Sequence, residues 1–408
     1  GAKGQNDIQL FKHYAYQTCY LLVGVGFLSG SMVKHGLHKR ISLGIVSKIG
    51  KKPTTLILGF ILAVAFVSMW MSNTAATVMM LPVALAIATT LGDDARGLKK
   101  AMVLSIPYAA TIGGMATVIG TTTNPTGIGL IESTIGISIN FLDWLKIGLP
   151  FTIVLLPLMW IYMVKFFKVD KMPPVDISLA RKQYQELGPM SKGEKWTAGI
   201  FLFCCVLWVT RSILWGKYMP FATDETVAML GAFLVMVIPT DYKNAEYVCD
   251  WKTGFNDIPW NAVILLGGSM VMGNAFKDAG CAAWVANMLS GLAGMNAVMI
   301  CIIVGIVTAL LTELTTNAVV VAAFIPVLAG VGEAIGVSPF AMMIACMLSC
   351  NFAFMLPPAT PPNAIAYGTG EITMKDLVTC GLGLKLIALV VFPIVLYGVT
   401  MGIFGIGV

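Results

Sequence analysis

The sequence predicts an all-α polytopic membrane protein built from inverted repeats, and three observations carry that prediction. Of its 408 residues, 57% are apolar and 11% charged, with 42 glycines, a composition outside the ordinary globular range. The apolar residues gather into uncharged runs near the roughly 20 residues that a helix needs to cross a bilayer. Finally, Gly30-Ser31-Met32-Val33 recurs letter for letter as Gly268-Ser269-Met270-Val271, and each copy is followed at similar distances by the same two kinds of polar island.

The uncharged runs fall at about 14–33, 54–91, 101–131, 147–164, 198–210, 226–239, 258–276, 295–312, 314–332, 336–370 and 386–408, the run at 226–239 being the shortest. Basic residues cluster at 34–52 (Lys34, Lys39, Arg40, Lys48, Lys51, Lys52), at Arg96, Lys99 and Lys100, and through 165–195. By the positive-inside rule these regions are cytoplasmic, and the turns at 132–146, 211–225 and 276–294, which hold only Lys146, Arg211, Lys217 and Lys277, are outside. Counting crossings from there, the second Gly-Ser-Met-Val helix runs opposite to the first. Inverted repeats of this kind place substrate and ion sites near the membrane midplane, between the copies. The second copy has two spans before its Gly-Ser-Met-Val helix and the first has none, so the native chain is expected to begin earlier. The net charge of +6 is read through these loops and not as a sign of an acidic partner, and no nucleic-acid partner is expected.

Ser72-Asn73-Thr74 sits near the middle of the run at 54–91, and Thr315-Thr316-Asn317 likewise inside 295–335, each asparagine followed nine residues later by a proline, Pro82 and Pro326. Polar backbone at membrane depth is tolerated only where protein or a water-filled cavity surrounds it, so both tips predict re-entrant helical hairpins at a site. The second kind of island, Gly120-Thr121-Thr122-Thr123-Asn124-Pro125 and Ala359-Thr360-Pro361-Pro362-Asn363, predicts a broken helix in each copy. Broken helices leave carbonyls free for a small cation and N–H groups at half-helix N-termini free for an anion. Taken singly, Ser31 and Ser269 suit helix packing; four islands in two matched pairs point to use.

Few ionisable residues lie inside the spans. Glu313, just before the second tip, either orients the hairpin or is held in a structural hydrogen bond. Lys385 is expected to snorkel to the cytoplasmic interface, and Arg211 to anchor the outer one. His13, His35 and His38 lie away from the predicted core. The nine cysteines lack metal-ligand spacing and read as buried small hydrophobes. Segment 34–53 mixes basic and apolar residues as an interfacial helix does, with a counterpart expected at 276–294. No H-E-x-x-H, G-x-S-x-G or P-loop is present, so the chain is not expected to be an enzyme.

At its Ser-Asn-Thr and Thr-Pro-Pro-Asn residues the chain resembles the divalent anion:sodium symporter family, the Na+-coupled dicarboxylate, citrate and sulfate transporters. Gly36 to Ile41, Met69 to Thr74, Gly120 to Asn124, Thr312-Glu313 and Met355 to Gly370 carry the likeness through essentially the whole length. The resemblance implies a homodimer in the cell (inner or plasma) membrane whose scaffold holds a transport domain that moves as an elevator. On that division, 1–33 and 196–275 are scaffold, 34–53 and 276–294 arm helices, 54–166 and 295–408 the transport domain, and 167–195 a cytoplasmic linker. It further implies one Na+ among Ser68, Ser72, Asn73 and Gly120, and a second among Thr312, Thr315, Asn317 and Ala359. Substrate carboxylates would meet Asn73, Thr74, Thr121, Asn317, Thr360 and Pro361. The second tip departs from the family pattern, with Ala318 where a hydroxyl residue is usual. The function expected is Na+-coupled symport of a C4 dicarboxylate or related divalent anion, with Na+ as its only cofactor; the alternative is Na+-independent anion exchange on the same fold. A channel would need a continuous pore, which two closed tips oppose.

Overall fold

The computed structural model describes residues 12–48, 52–89, 91, 95–172, 174–175, 178–280 and 295–401, and is mainly helical. Helix α1 (Gln17–His35) carries the first Gly-Ser-Met-Val and ends at Gly36, whose φ of 71° is the left-handed geometry that a glycine adopts without strain. The chain turns there into α2 (Leu37–Ser47), the predicted arm. Arg40 ties this arm to the foot of a later helix, donating to Glu194 at 2.6 Å and to the carbonyls of Gly188 and Leu187 at 2.8 and 3.1 Å.

The first helix–turn–helix follows as α3 (Pro53–Ser68) and α4 (Asn73–Thr89), with the turn at 69–72. Next come α5 (Arg96–Gly114), α6 (Thr123–Ile135) and α7 (Phe141–Phe166). Helix α8 (Ser178–Glu186) leads to α9 (Lys192–Thr210), which continues as a π-turn at Arg211–Trp215. Helix α10 (Asp224–Val237), a small antiparallel pair β1 (Pro239–Asp241) and β2 (Glu246–Tyr247), α11 (Trp251–Asp257) and α12 (Trp260–Asp278) complete the middle of the chain. The second helix–turn–helix is α13 (Ala297–Leu311) and α14 (Asn317–Ile335), followed by α15 (Pro339–Ser349), α16 (Pro361–Gly368) and α17 (Met374–Val395). Of the expected second arm at 276–294, residues 281–294 lie outside those described.

Among the described residues, four helical segments are long and apolar enough to cross a membrane: Phe141–Phe166, Lys192–Trp215, Asn317–Ile335 and Met374–Gly398. Three of the four arms of the two helix–turn–helix units are shorter, at 16, 17 and 15 residues. The first tip therefore sits between two apolar helices that stop short of a full crossing, and the second at the end of one.

The two breaks lie upstream of where the prolines suggested. Interruption is at Met115–Thr122 and at Cys350–Thr360, and Thr123-Asn124-Pro125 and Pro361-Pro362-Asn363 open the next helices instead of ending the previous ones. The reason is that a proline in the first helical turn lacks only an N–H that has no partner there anyway. Helix α5 is buried along nearly all its length against α3, where a Cβ at Gly113 would stand 2.4 Å from Ala65 O. Helix α1 packs as closely on α10 and the α11–α12 corner: a Cβ at Gly24 would meet Ala228 at 2.5 Å, and one at Gly26 would meet Ile258 at 2.8 Å. Asp250, the N-cap of α11, is held well below the usual carboxylate range by the Thr253 N–H and by Lys34 at 3.0 Å.

Candidate binding site

Each tip is built on the same motif. In the first, Ser68 ends α3 and Asn73 begins α4; Ser68 Oγ lies 2.7 Å from the Asn73 carboxamide and 2.8 Å from Ala110 O. In the second, Thr312 Oγ1 lies 2.6 Å from Asn317 Oδ1 and 2.7 Å from Cys350 O. A hydroxyl has one hydrogen to give, so in the second half it serves one of two oxygens and leaves a local excess of acceptors; the first half matches it when the Asn73 oxygen is the atom turned to Ser68. The Asn73 arm that meets Ser68 also faces Ala110 O at 3.0 Å and Gly120 O at 3.2 Å. As nitrogen, it has two hydrogens to share among these three oxygens; as oxygen, it completes a cluster of oxygens that a small cation would bind.

The breaks are stapled alike. Asn124 Nδ2 donates to Gly114 O and Thr117 O at 3.2 and 2.7 Å; Asn363 Nδ2 donates to Ala353 O and Leu356 O at 3.0 and 3.3 Å. In both cases the acceptors lie ten and seven residues upstream, and both Oδ1 atoms are buried without a hydrogen-bond partner among the described residues. The staples were visible in the islands only as polar residues; their matched place in the two copies was the available signal.

Between tips and breaks lies a cavity of about 270 Å³. Its lining takes in the N-terminal ends of four helices, at Ser72-Asn73-Thr74, Thr121-Thr122-Thr123, Thr316-Asn317-Ala318 and Thr360-Pro361-Pro362. Each such end carries a partial charge of about +0.5, so four together approach the charge of two cations; free N–H groups accompany it at three of them, since Pro361 and Pro362 have none and the Asn363 N–H is taken by Thr360. Among the described residues, no lysine, arginine or histidine lines the cavity. The fold thus offers an anion a field made of backbone, at a volume near the roughly 300 Å³ lower end for small-molecule pockets.

Of the site residues expected from sequence, Ser72, Asn73, Thr74, Gly120, Thr121, Asn317, Ala359, Thr360 and Pro361 line this cavity. Ser68 and Thr312 lie behind the asparagines, fully buried. Thr315 is half-buried in the tip and outside the lining, where its neighbour Thr316 stands instead. The opposite wall, from α1 and the α11–α12 corner, contributes Ser29, Asp257 and Asn261, which sequence reasoning missed because Asp257 ends just before the uncharged run that begins at 258.

Lys385 does not snorkel. It is 2% exposed, lies 2.6 Å from Glu313 and donates to Ala309 O at 2.6 Å. A carboxylate in reach offsets the desolvation that would otherwise drive the ammonium to the interface. Glu313 in turn accepts from the N–H groups of Phe354, Met355 and Leu356 at 2.9–3.1 Å, so it ties the second tip to the second break. Arg211 pairs with Asp224 at 3.0 Å.

The family model of the sodium:sulfate symporter transmembrane region matches residues 7–404. The sodium-dependent dicarboxylate transporter SdcS of Staphylococcus saprophyticus is 35% identical over 418 residues, covering 99% of this chain and 80% of its own length. SdcS of Staphylococcus aureus (strain USA300) is 34% identical over 416 residues, covering 98% and 79%. Among solved structures, the Alcanivorax borkumensis YdaH transporter superposes with a TM-score of 0.66 at 15% identity over 98% of this chain and 87% of its own, a likeness of fold.

Proposed function

The chain belongs to the divalent anion:sodium symporter family, and we propose that within it this protein imports C4 dicarboxylates together with Na+ by an elevator movement. It is an integral protein of the cell membrane and a transporter rather than an enzyme. The observation that carries the proposal is the cavity ringed by four helix N-termini and the paired Asn73 and Asn317, with no basic side chain in its wall. A dianion held by partial charges alone binds weakly, and Na+ bound behind each asparagine supplies the missing positive charge; this makes binding of the two species mutually dependent. The relatives' sodium dependence and dicarboxylate substrates agree with that reading.

One Na+ is assigned to Ser68, Ser72, Asn73 and Gly120, the other to Thr312, Thr315, Asn317 and Ala359. The oxygen excess at Thr312, and the oxygens of Ser68, Ala110 and Gly120 gathered round the Asn73 amide, support these assignments. Carboxylates are assigned to Asn73, Thr74, Thr121, Asn317, Thr360 and Pro361. Two re-entrant hairpins, in inverted repeats, fit the two short arms of the first helix–turn–helix unit and the short α13 of the second. The cavity is lined from both sides of the proposed division, in which residues 54–166 and 295–408 form the moving transport domain and 1–33 and 196–275 the scaffold that holds it, with α2 as an arm. The homodimer belongs to the same proposal.

Uptake of labelled succinate into proteoliposomes, with and without an inward Na+ gradient, tests this. Accumulation that needs the gradient is expected; uptake indifferent to Na+, or supported only by internal anion, would overturn symport in favour of exchange.

A further inference from the structure

Asp257 is the only charged side chain lining the cavity among the described residues, and its sign is that of the proposed substrate. Its residue is exposed, and it shares that lining with the four helix N-termini. Nothing about its own helix calls for a carboxylate at this place. It ends α11, a C-terminus where the helix dipole disfavours negative charge. Its position is nonetheless well defined. Helix α1 approaches so closely that a Cβ at Gly30 would stand 3.3 Å from both Asp257 Cβ and Thr253 O, and Ser29 of the same helix lines the cavity with it. The first Gly-Ser-Met-Val thereby gains a role: its glycine lets α11 bring Asp257 to the cavity.

We propose that Asp257 is a specificity-determining residue that rejects substrates carrying a third carboxylate between the two terminal ones. The inference rests on the dicarboxylate reading above. With the terminal carboxylates held at the helix N-termini of one wall, the middle of the substrate faces the other, where Ser29 and Asp257 stand. A methylene or a hydroxyl is compatible with that surface, and a hydroxyl can donate to the Asp257 carboxylate. A carboxylate there meets a like charge in a confined space, and like-charge juxtaposition is how binding sites turn away wrong partners.

The test is competition against labelled succinate in uptake by reconstituted protein under an inward Na+ gradient, with two competitors: tricarballylate, which has a central carboxylate, and 3-methylglutarate, which has an uncharged methyl at that position. Asp257→Asn is expected to lower the half-inhibitory concentration of tricarballylate at least tenfold while that of 3-methylglutarate changes less than twofold; Asp257→Glu keeps the wild-type pattern. An unchanged tricarballylate value in Asp257→Asn would overturn the inference, and so would an equal fall for both competitors, which would mean space and not charge. If Asp257→Asn takes up no succinate, Asp257→Ser and ligand-induced thermal shifts of the purified variants give the same comparison. Failure of the dicarboxylate reading itself would look different, as absence of Na+-dependent succinate uptake in the wild type.

Discussion

The first tip and break are held together by neutral groups, the second by a buried ion pair, although the two share one geometry. Four residues before its asparagine the first tip has Met69, whose carbonyl accepts from the Thr117 hydroxyl; the second has Glu313, whose carboxylate takes three backbone N–H groups of the break. Twelve residues after the capping residue of the following long helix, the first half has Thr152, which donates to Ile112 O at 3.0 Å. The second half has Lys385 there, paired to Glu313. Glycines stand at 114 and 120, and alanines at the matching 353 and 359. A Cβ at Gly114 would stand 2.3 Å from Asn73 Oδ1, and one at Gly120 2.6 Å from Gly114 O. The first half achieves its arrangement by close backbone approach; the second accepts a methyl at each place and uses charge to join tip and break. What both keep is the hydroxyl, the asparagine and the stapling amide, which marks these as the parts the site cannot vary.

That contrast can be broken or sharpened. Glu313→Gln leaves a buried ammonium unpaired and is expected to cost about 3–5 kcal/mol, read as a large fall in thermal unfolding temperature; Glu313→Gln with Lys385→Met should recover most of it. A neutral single variant would remove charge from the account of the second half. Gly114→Ala should cost about 1–3 kcal/mol through overpacking against Asn73, whereas Ala353→Gly should cost less than about 1 kcal/mol. Equal effects on unfolding would show that the halves are packed alike. Ser68→Ala and Thr312→Val should each raise the Na+ concentration for half-maximal uptake about fivefold, the worth of a hydrogen bond of ~1 kcal/mol; here the halves are expected to agree. The smallest effect is at the tips' one chemical mismatch. Thr74→Ala should raise the KM for succinate by about threefold and Ala318→Thr change it by less than about twofold, since no group in the second half has been shaped around a hydroxyl there.

The tips were legible in the sequence because hydroxyls and amides in the middle of an uncharged run have few structural uses, and the matched prolines at 82 and 326 aligned the copies. The breaks were legible in kind but misplaced, because a proline at a helix start looks in sequence like a proline at a helix end. Lys385 was misread for a different reason. Its partner lies on another helix, and a lone lysine near the end of an apolar run carries no sign of that pairing. Asp257 escaped notice because run boundaries are drawn at charges, so a carboxylate that enters the cavity from a chain corner is assigned to the loop outside it. Local pattern reports what a segment is, and the pairing of segments is where its reading stops.

Succinate uptake by Asn73→Ala and by Asn317→Ala, each purified as folded, monodisperse protein and reconstituted under an inward Na+ gradient, tests whether the two halves make one site. Both variants are expected to fall to the background of empty liposomes, since each asparagine bonds its half's hydroxyl and lines the shared cavity. Wild-type uptake by either variant would contradict the account, because a site that works with one half removed is not built from two.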